Sequence, residues 1–139
     1  IYLDRNDYYE PRQQFRLRMT VAHEFAHAKL HASILNSIKT MDDARMLITY
    51  FTENPDRYRL YEIQAFTLGG YLLVPDQTLE AATLEVQRNM SQKMSGTVDF
   101  TSEAIWKIIA EKVARKYEVT RQVAEKRLRH SQLWLKPQK

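Results

Sequence analysis

Three residues near the start of the chain have the types and spacing of a metal site. His23, Glu24 and His27 form the pattern H-E-x-x-H. On a helix, residues i and i+4 lie on one face, one turn apart, so both imidazoles can converge on one zinc ion. Glu24 is rotated about a quarter-turn from His23, where its carboxylate can act as a general base on water. The pattern therefore predicts a metal-dependent hydrolase. A hydrogen-bonded histidine cluster or an exposed charged patch is the simpler alternative.

The stretch that carries this motif has the periodicity of a helix. Its apolar residues recur at steps of three or four, and neither Gly nor Pro interrupts residues 12–39. We therefore predict a helix over residues 13–32. His31 follows one turn after His27, but a rise of about 1.5 Å per residue places it about 12 Å along the axis from His23. That separation excludes His31 as a third ligand of the same zinc ion, and we expect it at the helix end or beside the ligands.

A third metal ligand must be another histidine or a carboxylate, because the chain has no cysteine. Residues 59–74 have the pattern of a buried helix, in which Glu62 shares a face with small and apolar residues. A carboxylate on such a face is costly unless it is paired or bound to a metal. Glu62 is therefore the favoured third ligand, and a surface glutamate in the first helical turn is the alternative. Four further carboxylates stay open as ligands: Glu53, Asp42, Asp43 and Asp56.

The composition is that of an ordinary globular protein. Of 139 residues, 44% are hydrophobic and 27% are charged. No apolar run approaches the roughly 18 residues of a membrane span, and no signal-peptide pattern opens the chain. We therefore expect no membrane contact and a cytoplasmic protein. The chain begins at Ile1 without an initiator Met, and we expect that further sequence precedes it.

Positive charge is concentrated in the last quarter of the chain. Residues 103–139 hold 10 Lys and Arg against 4 Asp and Glu, whereas residues 1–102 hold 11 against 13. Two amphipathic helices are predicted here, over residues 101–117 and from Thr120 onward. Their close succession has the outline of a helix-turn-helix, which predicts DNA contact through residues 103–139. The alternative is a small helical subdomain that packs on the rest of the protein.

Three blocks of the sequence occur in the order of a known family. Residues 15–31, FRLRMTVAHEFAHAKLH, are similar to the pattern RF-x-x-AHE-x-x-H-x-x-LH. Residues 62–75, EIQAFTLGGYLLVP, are similar to E-x-x-AN-x-FA-x-x-LLMP, and residues 109–120 with Arg127 and Leu128 are similar to LA-x-x-F-x-VS followed by RL. Together they resemble the ImmA/IrrE-type zinc metallopeptidases over most of the chain. The departures are Phe66 and Gly69, which stand where the family usually has Asn and Ala.

The resemblance implies one Zn²⁺ per chain, held by His23, His27 and Glu62, with Glu24 as the general base of a gluzincin-like endopeptidase. Members of the family cleave helix-turn-helix repressors of stress or mobile-element genes, so the expected partner is such a repressor. Peptide hydrolysis also needs a hydrogen-bond donor for the oxyanion that forms when the carbonyl carbon is attacked. The open candidates for this donor are Tyr8, Tyr9, Tyr61 and His31. A metal-stabilised module that binds a repressor without cutting it, and a DNA-binding regulator, are the alternative functions.

We expect an α+β fold that is mostly helical. Residues 1–4 have the pattern of a short strand. The resemblance adds a zincin-like metallopeptidase core, which we expect over residues 1–100. Residues 101–139 are then expected to form a basic helical subdomain, similar to a helix-turn-helix and packed on that core.

Overall fold

The computed structural model describes residues 13–93 and 97–134. Within these two ranges, none of the helices combines the length and the apolar character that a membrane span requires. The described helices are α1 (Gln14–Leu30), α2 (Ala32–Ser37), α3 (Met41–Glu53), α4 (Pro55–Leu73), α5 (Asp76–Lys93), α6 (Glu103–Tyr117) and α7 (Arg121–His130).

The predicted α+β class is wrong, although the expectation of a mostly helical chain is confirmed. Every regular element in the described ranges is a helix, and none of the described residues is in a strand. The strand predicted over residues 1–4 lies outside the described residues. A strand needs a neighbouring strand to satisfy its backbone hydrogen bonds. The described residues supply no such neighbour, because their apolar residues recur with helical spacing.

Local capping chemistry sets the residues at which α3 and α4 begin. Thr40 accepts a hydrogen bond from the backbone N–H of Asp43, and the Asp43 carboxylate accepts one from Thr40 in return, which is a capping box at the start of α3. Asn54 alone separates α3 from α4, because Pro55 occupies the first turn of α4, where its missing N–H needs no partner. Helix α4 therefore begins four residues before the helix predicted over residues 59–74.

Helices α1 and α4 pack closely through small residues. Ala22 and Ala26 of α1, and Ala65 and Gly69 of α4, are all buried. A Cβ atom on Gly69 would lie 3.2 Å from backbone atoms of both Ala22 and His23. A glycine at this position therefore permits the observed distance between the helices. The distance between the helices in turn sets how far apart the side chains on their facing surfaces lie.

The main apolar core lies among α5, α6 and α7. Trp106, Ile109 and Leu128 are at most 1% exposed, and the Trp106 indole N–H donates to the carbonyl of Phe100 at 2.7 Å. Ile108 lies on the other side of α6 and is 45% exposed. The buried stripe of α6 begins at Trp106 and continues with i+3, i+4 and i+7 spacing, so Ile108 points away from it.

Contacts with long sequence separation join the site-bearing helix to the C-terminal helices. Arg18 of α1 donates to the carbonyls of Tyr117 and Glu118, at 2.9 and 3.0 Å. It also pairs with the Glu118 carboxylate at 2.8 Å. Met19 of α1 belongs to the same apolar cluster as Trp106. The division into residues 1–100 and 101–139 remains a prediction, and the described core draws residues from both sides of it.

Candidate metal centre

Three of the predicted site residues come together where α1 and α4 cross. His23 and His27 occupy successive turns of α1, and Glu62 faces them from α4. The Nε2 atoms of His23 and His27 lie 3.0 Å apart. The two Glu62 carboxylate oxygens lie 3.2 Å from His23 Nε2 and 3.3 Å from His27 Nε2. Two imidazole nitrogens and one carboxylate thus point at a common volume.

The separations between these donor atoms fit zinc. Zn–N and Zn–O bonds of about 2.0–2.2 Å at tetrahedral angles place neighbouring ligand atoms roughly 3.3–3.5 Å apart. The observed separations of 3.0–3.3 Å are close to that edge length. Two histidines and one carboxylate also leave the fourth position of a catalytic site open. Among the described residues, no other set of three His, Asp or Glu side chains lies close enough to share an ion.

The other carboxylates left open by the sequence lie elsewhere. Asp43 accepts backbone hydrogen bonds at the start of α3, and Asp42 pairs with Arg45 at 3.1 Å. Neither of them, nor Glu53 nor Asp56, belongs to the histidine cluster. The geometry therefore favours Glu62 as the third ligand over these four.

His31 lies at the end of α1 and completes a chain of hydrogen bonds behind His27. His27 Nδ1 is 2.9 Å from His31 Nδ1, and His31 Nε2 is 3.0 Å from Gln64 Oε1. If His27 binds a metal through Nε2, its proton is on Nδ1 and is donated to His31, which donates its own Nε2 proton to Gln64. One choice of tautomers therefore satisfies every member of the chain. Such a chain fixes the orientation of a ligating imidazole.

The surroundings of His27 favour the form that binds a metal. Burial lowers the pKa of His27 below its ordinary value of 6.5, and His23 and His31 act in the same direction. The charges of Glu62 and Glu24 oppose this effect without outweighing it. His27 is therefore neutral at pH 7, and a neutral imidazole is the metal ligand.

Glu24 lies beside the three candidate ligands but is not one of them. It is solvent-exposed on α1, one residue after His23. It is also close enough for its charge to raise the pKa of His27. An exposed carboxylate in this position can exchange protons with water and with a substrate.

Tyr58 is a neighbour of the site that the sequence reasoning missed. The charge of Glu62 raises the pKa of Tyr58, and burial and the hydrogen bond between the two side chains act in the same direction. The phenol is therefore protonated at pH 7 and can donate to the Glu62 carboxylate. The signal was the i, i+4 spacing of the pair, but residue 58 lay outside the helix predicted. Among the tyrosines left open as oxyanion donors, Tyr61 packs its ring against His31. Tyr8 and Tyr9 lie outside the described residues.

A cleft of about 600 Å³ opens beside the cluster, between α4 and α7. His23 and Glu62 lie in its wall, so the cleft reaches the candidate ligands. The remaining lining residues are apolar or basic for the most part: Arg59, Ile63, Phe66, Thr67, Gly70, Val123, Lys126, Arg127, Arg129 and His130.

Part of the positive charge of α7 is neutralised within the molecule. Arg127 is buried, where it donates its Nε–H to the carbonyl of Val74 at 3.0 Å and pairs with Asp76. Arg129 pairs with Glu103 at 2.9 Å. These two arginines therefore serve to hold α7 against the neighbouring helices.

Comparison with known protein families gives a match over most of the chain. The family model of a group of peptidases, described as the IrrE N-terminal-like domain, matches residues 8–129. The matched range is most of the chain, and it includes His23, Glu24, His27 and Glu62. No curated protein and no solved structure matches significantly.

Proposed function

Since the chain belongs to this family of peptidases, we propose that it is a zinc-dependent endopeptidase that hydrolyses a peptide bond in a protein substrate. The observation that carries the proposal is the set of donor atoms of His23, His27 and Glu62, 3.0–3.3 Å apart at the edge of a cleft. The resemblance of the sequence blocks supports a helix-turn-helix repressor of stress or mobile-element genes as the substrate. Such a substrate places the enzyme in the cytoplasm.

His23, His27 and Glu62 would hold one Zn²⁺. The ion would supply a Lewis acid that acidifies water and polarises the scissile carbonyl. His31 and Gln64 hold the His27 ring in the orientation that the ion requires. The Tyr58 phenol lies beside Glu62 and keeps its proton, so it can donate to the carboxylate of the third ligand.

Glu24 transfers a proton from the attacking water to the departing amine. Its carboxylate accepts a proton from the water whose oxygen forms the new bond to the carbonyl carbon. The carbon–nitrogen bond of the peptide then breaks, and Glu24 delivers its proton to the departing amine nitrogen. Because Glu24 lies outside the ligand set, metal binding leaves its carboxylate available for both transfers.

The experiment that tests the proposal is Glu24→Gln. The amide keeps the size of the side chain and cannot accept the proton. We expect cleavage to fall about 10²- to 10⁴-fold, the usual contribution of a general acid–base group, with zinc content unchanged. Newly formed protein N-termini are compared by mass spectrometry in cells that express the wild type or the variant. Helix-turn-helix repressors are followed individually.

The matched control is Glu80→Gln, which neutralises an exposed carboxylate on α5. This variant should cleave at the wild-type rate. A Glu24→Gln protein that cuts as fast as the wild type would disprove the role of Glu24. Zinc binding and repressor binding without any cleavage by the wild type would favour the alternative, a metal-stabilised regulatory module.

A further inference from the structure

The cleft beside the metal centre combines an apolar lining with a basic wall, and this combination identifies a class of substrate. We propose that the cleft binds the substrate segment next to the scissile bond and selects an apolar side chain followed by Asp or Glu. The proposal rests on the proposed peptidase function. It assigns the substrate specificity to residues of α4 and α7 that surround the cleft.

The apolar part of the lining comes from both helices. Ile63 and Phe66 line the cleft from α4, and Val123, which is 2% exposed, lies at its base on α7. Ile63 is 52% exposed, so a bound apolar side chain would remove hydrophobic surface from water. A cleft volume of about 600 Å³ lies within the roughly 300–1,000 Å³ that is typical of ligand sites.

The charged part of the lining is nearly all positive. Glu62 is the one carboxylate in the lining, and we assign it to the metal. Arg127 and Arg129 already have carboxylate partners. Lys126 and Arg59 have no carboxylate partner in the part of the chain that the structure describes. The unbalanced positive charge of the cleft therefore belongs mainly to these two residues.

The position of Lys126 links the two parts of the lining. Its Nζ lies 3.9 Å from the centre of the Phe66 ring, which holds the ammonium group directly over apolar surface. A peptide that places an apolar side chain near Phe66 would bring its next side chain towards Lys126. A carboxylate there gains an opposite charge, whereas a lysine or arginine there is repelled.

Arg127 lines the cleft but offers no contact to a substrate. Its side chain is 4% exposed, and its guanidinium carbon lies 3.6 Å from the centre of the Tyr71 ring. An acidic substrate residue would therefore pair with Lys126 or Arg59.

A nucleic acid is a weaker match to this cleft than a peptide. Phosphate groups would pair with Lys126 and Arg59, but they would leave Ile63 and Phe66 uncovered. The cleft also reaches two of the candidate metal ligands, where a peptidase needs the scissile bond. A peptide uses all three features.

The test measures peptide selection separately from cleavage. Zinc-loaded Glu24→Gln protein is immobilised and mixed with short peptides randomised at every position, and the bound pool is sequenced. We expect Asp and Glu to be enriched about two- to fivefold over Asn and Gln after an apolar residue, which is the size expected of a partly exposed ion pair. Adding Lys126→Glu should remove this enrichment and favour Lys and Arg, and adding Arg59→Glu should weaken it.

The control is Lys107→Glu in the same background, which makes the same change of charge on α6 outside the cleft. It should keep the acidic preference. A bound pool without acidic enrichment, or an enrichment that Lys126→Glu leaves unchanged, would overturn the proposal. Displacement of the acidic peptides by duplex DNA at the same concentration would show that the cleft binds nucleic acid instead.

Cleavage of the same peptide mixture by the wild type distinguishes this proposal from the proposed function. Acidic selection by Glu24→Gln without cleavage by the wild type would support the cleft specificity and refute the peptidase. Cleavage that depends on Glu24 but has no acidic preference would support the peptidase and refute the cleft specificity.

Discussion

The two main regions of the molecule are built from different kinds of buried residue. The core region, α5 to α7, encloses large side chains such as Trp106, Ile109 and Leu128. The metal-centre region, where α1 crosses α4, buries small residues such as Ala26 and Ala65. Large buried side chains contribute most of the hydrophobic free energy of folding, whereas small ones permit close approach of two backbones. The difference indicates that the core region supplies stability and that the metal-centre region supplies position.

The largest effect on stability is therefore expected in the core region. Trp106→Ala removes a fully buried indole and should lower the free energy of unfolding by about 3–5 kcal/mol. Ile108→Ala, on the exposed side of the same helix, should lower it by only about 0.5 kcal/mol. Urea denaturation of both variants measures the contrast. Equal losses of stability would contradict the assignment of Trp106 to the buried face of α6 and of Ile108 to its exposed face.

A smaller and more local effect is expected in the metal-centre region. In Gly69→Ala the new methyl group would lie 3.1–3.2 Å from atoms of Met19, Ala22 and His23. Such overpacking costs about 1–3 kcal/mol of stability and shifts α1 relative to α4. We therefore expect weaker zinc binding as well as lower stability, and calorimetric titration with zinc measures the former.

Gly70→Ala is the matched control for this variant. A methyl group on Gly70 would lie near side-chain atoms of Arg127 and no backbone atom of α1. Its zinc affinity should therefore stay near that of the wild type. Equal zinc affinities for the two alanine variants would show that the helix spacing at Gly69 does not position the ligands.

The smallest effect is a pH dependence of the metal-free protein. His27 has a pKa below its ordinary value of 6.5 in the folded chain, so the unfolded chain takes up this proton first as the pH falls. Stability should therefore be lost as the pH decreases below 6.5 and through the lower pKa of the folded state. Urea denaturation across this pH range measures the loss. His27→Gln should remove the part of this pH dependence that comes from His27. A variant whose stability depends on pH as the wild type's does would show that His27 is not its source.

The sequence predicted what local spacing determines. The H-E-x-x-H pattern places His23 and His27 on one helical face, and the rise per residue placed His31 at the helix end, where the structure has it. Helical periodicity also predicted the helices that carry the motif and Glu62. The α+β class was wrong because the described residues have helical periodicity throughout, and a strand depends on a partner that local sequence does not reveal.

Contacts between distant residues could not be predicted in this way. Nothing in the local sequence indicates that Arg127 pairs with Asp76, or that Lys126 lies over Phe66. The first contact depends on how α7 packs against the start of α5, and the second on how it packs against α4. Phe66, Lys126 and Arg127 all line the cleft. The sequence therefore predicted the candidate ligands and Glu24, whereas the cleft could be found only from the structure.

The zinc content of the purified protein tests the proposed metal centre most directly. We expect about one zinc per chain in the wild type and in Glu24→Gln, because three protein ligands suffice for a catalytic site and Glu24 is not one of them. His23→Ala and Glu62→Ala should each lose the zinc while remaining folded, since neither side chain belongs to the apolar core. Zinc retained in Glu62→Ala would show that Glu62 is not the third ligand, and no zinc in the wild type even after incubation with the metal would show that these residues do not form a zinc site.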